Sequence, residues 1–466
     1  MERAVRIEGH AVVTGSQSWY VDSGITRREV GRGALLAWLG ALGHPELAGA
    51  KKVEHAGGNA HSWRGDFPIL NQRVNGRPLV YLDSAATTQR PLPVIEAILD
   101  FYRHHNANPG ATLHTLARQA YEQYEGARQT VAQFLNASQP DEIVWTRGST
   151  EGINLVATAW ARPVLRRGDE ILLTDAEHAS NLLPWRLVAE QTGTIIRYVE
   201  VDDEGRILLE DLDRKLSDRT KLMCFSHVSN VAGYINPAAE ITARARAAGA
   251  RVLIDAAQSA PHVQLDVRAL GCDFLVFSGH KTLGPMGAGV LFARRDLLEQ
   301  MPPYQSGSNM AHGIDISSQE YEHGSHKFSA GTPNVSGAVG LAAAIRYLNS
   351  QSRAAIEEHE LQLTKYGLRA LAQIPGLQLL GPNDPERRIP VFSFVVKDYA
   401  PQTILRHLDS EGIAVRAGDL AALPLLRRFG VSTAVRASCY LYTQPEDIDR
   451  LASALDQMTR PGAKES

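Results

Sequence analysis

The chain has 466 residues, 44% of them hydrophobic and 21% charged, with a formal net charge of −3. Such a length can bury a large core and suggests roughly three domain equivalents, and the near-neutral charge offers no basic field for nucleic acid. No apolar run approaches the ~20 residues of a membrane span, and the N-terminus lacks the apolar stretch and cleavage site of a secretory signal.

Residues 1–66 mix Gly, Ser, His and charges around one short helical candidate, 28–42, where Val30, Leu35, Leu36, Trp38, Leu39 and Leu42 form an apolar stripe. The plain expectation is an N-terminal extension, partly flexible or packed on the body. The sharper one is a docking segment whose stripe folds into a partner's groove. From Leu79 the pattern becomes regular, with a short apolar stretch at 80–82 and a helix from about Pro91 to His104.

The stretch 143–157, Ile-Val-Trp-Thr-Arg-Gly-Ser-Thr-Glu-Gly-Ile-Asn-Leu-Val-Ala, reads as strand, tight glycine turn, then helix. The first turn of a helix has unpaired N–H groups and a dipole that favours anions, so Ser149 and Thr150 are candidates to hold a phosphate. Glu170 to Thr174 is another apolar strand, followed by Asp-Ala-Glu-His-Ala-Ser-Asn at 175–181, and Phe225 to Gly233 is again strand then loop.

Arg251 to Gln258 is a buried-strand pattern that ends on Asp255. The apolar run from Asp273 stops at Ser278-Gly279-His280-Lys281, which delivers a lysine just past a strand tip. In open α/β sheets ligands sit outside the carboxyl ends of strands. A lysine amine for a Schiff base and a carboxylate for a pyridinium nitrogen are what pyridoxal phosphate needs to draw electrons from a substrate, so Lys281 and Asp255 point to that cofactor. The three cysteines, Cys224, Cys272 and Cys439, are widely spaced. They indicate neither a disulfide framework nor a zinc site, so no metal is expected and a reducing cytoplasm is the natural assignment.

Ser-Gly-His-Lys after Val-Phe, Ile-Asp-Ala-Ala-Gln at 254–258 and Arg-Gly-Ser-Thr-Glu-Gly-Ile-Asn at 147–154 resemble the class V aminotransferases, which are fold-type I pyridoxal phosphate enzymes. The resemblance is closest to the group II, Suf-type cysteine desulfurases and runs from about Val80 to about Leu455. It implies an α/β fold, with a mostly parallel seven-stranded sheet between helices in a large domain, 67–350, and a smaller α+β C-terminal domain, 351–466, which some N-terminal chain joins.

The resemblance also implies site roles. His178 would lie flat on the cofactor ring and move protons. Asn230 would contact the ring's phenolic oxygen or the substrate carboxylate, and Gln258 the same phenolic oxygen. Ser278 and His280 would join Ser149 and Thr150 at the phosphate. Thr332, in Phe-Ser-Ala-Gly-Thr-Pro-Asn at 328–334, would reach the phosphate of the other subunit, so a homodimer is expected. Arg436 would grip the α-carboxylate of an amino-acid substrate through its planar fork, and Arg416 would support the neighbouring loop.

Two departures stand out. Gly110-Ala111-Thr112 occupies the place of a His-Arg-Gly, and Ala421, in Arg-Ala-Gly-Asp-Leu-Ala at 416–421, occupies the place of the cysteine that receives sulfur as a persulfide. A methyl group cannot attack sulfur. Cys439 lies three residues past Arg436 and would face the other way on a strand. The readings left open are a C–S bond-cleaving enzyme of the desulfurase family whose Ala421 is native or engineered, and a cysteine-independent lyase acting on cysteine or cystine. An aminotransferase, an epimerase of the same family, or a non-catalytic cofactor-binding scaffold complete the set. A sulfur acceptor or other partner would dock through residues 1–66.

Overall fold

The computed structural model describes residues 63–110 and 113–460. The helical candidate at 28–42, the rest of the chain before Trp63, and Ala111-Thr112 lie outside the described residues.

Seven strands carry the larger sheet: β1 (Ile143–Thr146), β2 (Glu170–Thr174), β3 (Ile195–Val199), β4 (Thr220–Ser226), β5 (Arg251–Asp255), β6 (Phe274–Ser278) and β7 (Gly289–Ala293). Their spatial order is β1-β7-β6-β5-β4-β2-β3. β2 to β6 run parallel, and β7 runs antiparallel to both of its neighbours. β1 therefore points the same way as the parallel strands, and six strands end on one edge. Their apolar runs are continuous because helices cover both faces of a sheet of this kind. Val252 and Ile254 pack into one core cluster while Leu253 packs into the opposite one, and β6 alternates likewise, Leu275 and Phe277 against Phe274 and Val276. Burying each such side chain contributes about 1.5–3 kcal/mol.

A helical run, 149–164, leaves β1 through Gly148. Gly148 lies against β7: a Cβ on Gly289 would fall 2.4 Å from the Gly148 Cα, a contact that only glycine permits.

The second sheet consists of β8 (Leu377–Leu380), β9 (Val391–Val396), β10 (Arg416–Gly418) and β11 (Ala434–Ser438), in the order β8-β9-β11-β10. All three of its pairings are antiparallel. Phe392, Phe394, Val435 and Ala437 turn toward a core shared with the helices Arg353–Leu371, Pro401–Ser410 and Pro445–Thr459. Arg436, between Val435 and Ala437, takes the opposite side. Val80–Tyr81 pairs in parallel with Ile413–Ala414, which ties early chain to the C-terminal region.

Residues 63–66, assigned to the extension on composition, pack on the body. Trp63 is 6% exposed, Arg64 pairs with Asp447 at 3.0 Å, and Asp66 accepts from the Tyr347 hydroxyl at 2.6 Å. A large indole is reason enough for the chain to be ordered there. Among the described residues no helix is long and apolar enough to cross a membrane.

Candidate active site

The carboxyl edge of the large sheet opens into a cavity of about 390 Å³. Ser149, Thr150, His178, Asn230, Asp255, Gln258, Ser278, His280, Lys281, Ala421 and Arg436 all line it, as do Arg416 and Asp419. Residues from seven separate stretches of sequence thus meet where the parallel strands end.

Asp255 is the last residue of β5, opposite Val276 on β6. Lys281 follows β6 on a short turn, Gly279–Lys281. Burial pushes the lysine amine down to about 8, Asp255 opposes that shift, and the Arg436 and Arg416 guanidiniums add to it. Burial also raises the Asp255 carboxyl, partly offset by the Ala257 N–H, which donates to its Oδ1 at 2.9 Å, and by the Lys281 charge.

At the start of the 149–164 run, the Ser149 N–H donates to Ser278 Oγ at 2.8 Å, and the two serine hydroxyls meet at 2.8 Å. Thr150 and Ser180 share a further hydroxyl contact at 2.8 Å. Among the described residues these hydroxyls pair with one another, which leaves a cluster at a helix start suited to an anion.

His178 accepts from the Ser180 N–H through Nδ1 at 3.1 Å, so in the neutral ring the proton sits on Nε2. Burial, then the Lys281 and Arg436 charges, pull its pKa down to about 4. His280 is likewise held near 4, by burial and then by Lys281 and Arg90. Arg436 is 2% exposed. It donates to the Asn230 carbonyl at 3.0 Å and faces Asp83 at 3.4 Å, while its buried Nε has no partner among the described residues. Burial lowers its pKa to about 10.

Asn230 and Gln258 reach the cavity, but each spends an amide N–H on backbone: Asn230 on the Leu420 carbonyl at 2.9 Å, Gln258 on the Ala85 carbonyl at 2.7 Å. Ala421 lies on a pinned loop. Asp419 Oδ1 accepts from its N–H at 3.0 Å, and its carbonyl accepts from the Ala179 N–H at 2.7 Å, beside His178. Leu420 and Ala421 both have φ near +52°, a left-handed conformation costly for side-chain-bearing residues. Thr332 is outside this cavity; it accepts from Asn108 at 3.2 Å and lines a second one of about 360 Å³ with Tyr124, Trp145 and Tyr304.

None of the three thiols lines the cavity. Cys224, Cys272 and Cys439 are each buried in a different core cluster, where burial raises every thiol pKa.

Sequence reasoning missed three residues. Asp83 bridges Arg436 and, at 3.1 Å, Arg416. Glu177 is fully buried beside His178 and accepts from Thr174, Asn181 and Ser226. Asp419 shapes the Ala421 turn. Only Asp419 had a signal, an aspartate two residues ahead of a turn.

A family model for class V aminotransferases matches residues 80–451. The chain belongs to that family. A cysteine desulfurase of Synechococcus elongatus is 45% identical over 88% of this chain, which spans 65% of that relative's length. A probable cysteine desulfurase of Halalkalibacterium halodurans is 45% identical over 86% of this chain and 98% of its own. Among solved structures, an apo cysteine desulfurase from Thermococcus onnurineus NA1 has a TM-score of 0.81 and 35% identity, covering 85% of this chain and 97% of the other. A complex of a cystine C–S lyase with its product, cysteine persulfide, has a TM-score of 0.71 and 26% identity, covering 81% and 97%.

The family's cofactor is pyridoxal phosphate, and the cavity fits it. It has hydroxyls and a free helix start for the phosphate, a buried carboxylate for the ring nitrogen, a depressed lysine amine, and a neutral imidazole for a ring face.

Proposed function

We propose that this chain cleaves the C–S bond of L-cysteine or a related sulfur amino acid with the help of pyridoxal phosphate, without passing the sulfur to a cysteine of its own. The observation that carries the reading is the Lys281–Asp255–Arg436 constellation in a cavity whose expected sulfur acceptor is Ala421 and which no thiol lines.

Pyridoxal phosphate, when bound, supplies the electron sink for bond breaking at Cα and Cβ. Ser149, Thr150, Ser278 and His280 hold its phosphate. Asp255 would hold the ring nitrogen and offer it a negative charge. Arg436 binds the substrate α-carboxylate, and its unpartnered Nε gives it spare donor capacity. Lys281, with its amine near 8, is neutral often enough at pH 7 to take the Cα proton. His178 would hold one face of the ring as a neutral imidazole. Asn230 and Gln258, each with hydrogen-bonding capacity beyond its backbone contact, would hold the ring's phenolic oxygen.

Thr332 would serve the phosphate of a second copy, so the working form is a homodimer with a large domain, 67–350, and a small one, 351–466. Of the expected extension 1–66, the chain ahead of Trp63 is the segment that would dock a sulfur acceptor, and a reducing cytoplasm suits three unpaired thiols. A non-catalytic scaffold is disfavoured because an ion-binding shell would not need a lysine amine lowered to about 8.

The test is incubation of the holoenzyme with L-cysteine and L-cystine, with and without Ala421→Cys, measuring alanine, pyruvate and sulfide. Pyruvate from the unaltered chain supports β-elimination. Alanine only from the cysteine variant means a desulfurase disabled at one atom. A colourless protein that gives neither product refutes the reading.

A further inference from the structure

Lys281 ends a short turn, Gly279–Lys281, whose shape is set from behind the cavity wall. Two positions past the lysine, Leu283 is fully buried and has a φ of +57°. That left-handed conformation is costly for a residue with a Cβ and persists only where the surroundings impose it. The group that imposes it is Thr88. Its hydroxyl accepts from the Leu283 N–H at 2.9 Å and donates to the His280 carbonyl at 3.2 Å, so one oxygen holds main chain on both sides of Lys281. The Thr88 N–H, at 2.9 Å, and the Thr87 hydroxyl, at 3.0 Å, reach the same His280 carbonyl. Thr88 is 1% exposed and lies outside the cavity lining.

The plain account is a buried threonine that satisfies its hydroxyl on the nearest main chain. It does not explain why three donors converge on a carbonyl with two lone pairs. Nor does it explain a leucine held at positive φ beside the reactive lysine, where a glycine would need no support. The segment that carries Thr88 also has its own anchor. The Ala85 N–H donates to Ser438 Oγ at 2.9 Å, and the Ala85 carbonyl accepts from Gln258 at 2.7 Å. Thr88 therefore holds the turn from a fixed base.

We propose that Thr88 is a positioning residue for Lys281, its hydroxyl keeping main chain 280–283 in the one conformation that aims the amine both at the cofactor and at the substrate's Cα proton. The first half of this rests on Lys281 as the cofactor-binding lysine, and the second on the C–S cleavage reading above. Without the hydroxyl, the buried Leu283 N–H loses its partner and nothing restrains its left-handed backbone. The turn then relaxes toward negative φ and carries the lysine with it. A displacement of about 1 Å costs up to about 100-fold in rate. Arg436 sits on β11, in the other sheet, so substrate binding holds while the rate falls.

The experiment compares Thr88→Val, which keeps the shape and removes the hydroxyl, with Thr88→Ser, which keeps the hydroxyl. Stopped-flow absorbance follows pyridoxal phosphate uptake by the cofactor-free protein. Pyruvate release from L-cysteine gives the holoenzyme's kcat, and titration of its visible absorption gives the substrate Kd. Thr88→Val should slow uptake and kcat about 10- to 100-fold while Kd moves less than about threefold, and Thr88→Ser should stay within about threefold of the unaltered chain throughout. Urea denaturation of each cofactor-free variant records stability separately. A valine variant that loses stability yet keeps both rates overturns the proposal, as does a serine variant as slow as the valine one. If the unaltered chain releases no pyruvate, the C–S cleavage reading falls, and cofactor uptake alone decides the role of Thr88. If Thr88→Val does not fold, Thr87→Val takes one donor from the same carbonyl and leaves Leu283 paired. It should slow uptake about threefold, the worth of one neutral hydrogen bond, and unchanged uptake overturns the proposal.

Discussion

Glu177→Gln should change the pH dependence of stability more than stability itself. The carboxylate is fully buried and accepts from Thr174 Oγ1 at 2.5 Å, Asn181 Nδ2 at 2.7 Å, Ser226 Oγ at 2.8 Å and the Ser226 N–H at 3.0 Å. Burial pushes its pKa up to about 7, against the pull of those donors. A carboxyl raised from an unfolded value near 4.5 binds its proton more tightly when folded. Stability is therefore full below pH 4.5, falls as pH rises, and levels off above about 7. At about 1.4 kcal/mol per pH unit the loss is about 3 kcal/mol. The glutamine variant has no such slope. It strands one N–H donor, from Asn181 or Ser226, at a cost of about 1–3 kcal/mol. Near pH 5 the variant should be the weaker protein by that amount; near pH 8 the two should be equal or reversed. Urea denaturation of both holoenzymes at half-unit steps from pH 5 to 8 measures the difference, in which groups common to both cancel. A difference that does not change with pH would mean that Glu177 keeps an ordinary carboxyl pKa in its burial site, and the reasoning would fail.

The rate at which cofactor-free protein takes up pyridoxal phosphate should rise with pH through about 8 and level above it, because the neutral Lys281 amine is the reacting form; stopped-flow absorbance with a midpoint near 10 would contradict the depressed amine. Arg436→Lys keeps the charge but loses the fork that spans Asn230 and Asp83, and kcat/KM for the amino-acid substrate should fall about 10- to 100-fold. A loss under about threefold would place the α-carboxylate elsewhere. Ala421→Gly should stabilise the fold by about 0.5–1 kcal/mol by relieving a left-handed alanine. A measured destabilisation would show that the methyl packs usefully.

The sequence announced the strands that carry the chemistry because a parallel sheet needs unbroken apolar runs: 170–174 and 251–255 were bounded as the structure has them. The convergence of Lys281, Asp255 and the 149–150 turn followed from all three sitting at strand ends on one edge. What the chain could not disclose were contacts made across long separations. Nothing around Asp83 hints that two arginines, more than 330 positions away, would close on it. Nor does Glu177 advertise its burial, since local composition cannot distinguish a solvated acid from one enclosed by hydroxyls. Residues 63–66 were misassigned because composition sees a Gly- and His-rich flank, whereas order there depends on where one indole lands.

The contact between Gly148 and Gly289 has a further consequence. It sets the anion end of the cavity against β7, whose first residue also pairs with Ser278 three positions before the lysine. Main chain alone therefore gauges the span between the two ends of any molecule seated there. The side chains on the walls can differ, a methyl standing at 421 where a thiol is expected, and so alter which bond is broken, while the ruler that holds the reagent in place stays the same length.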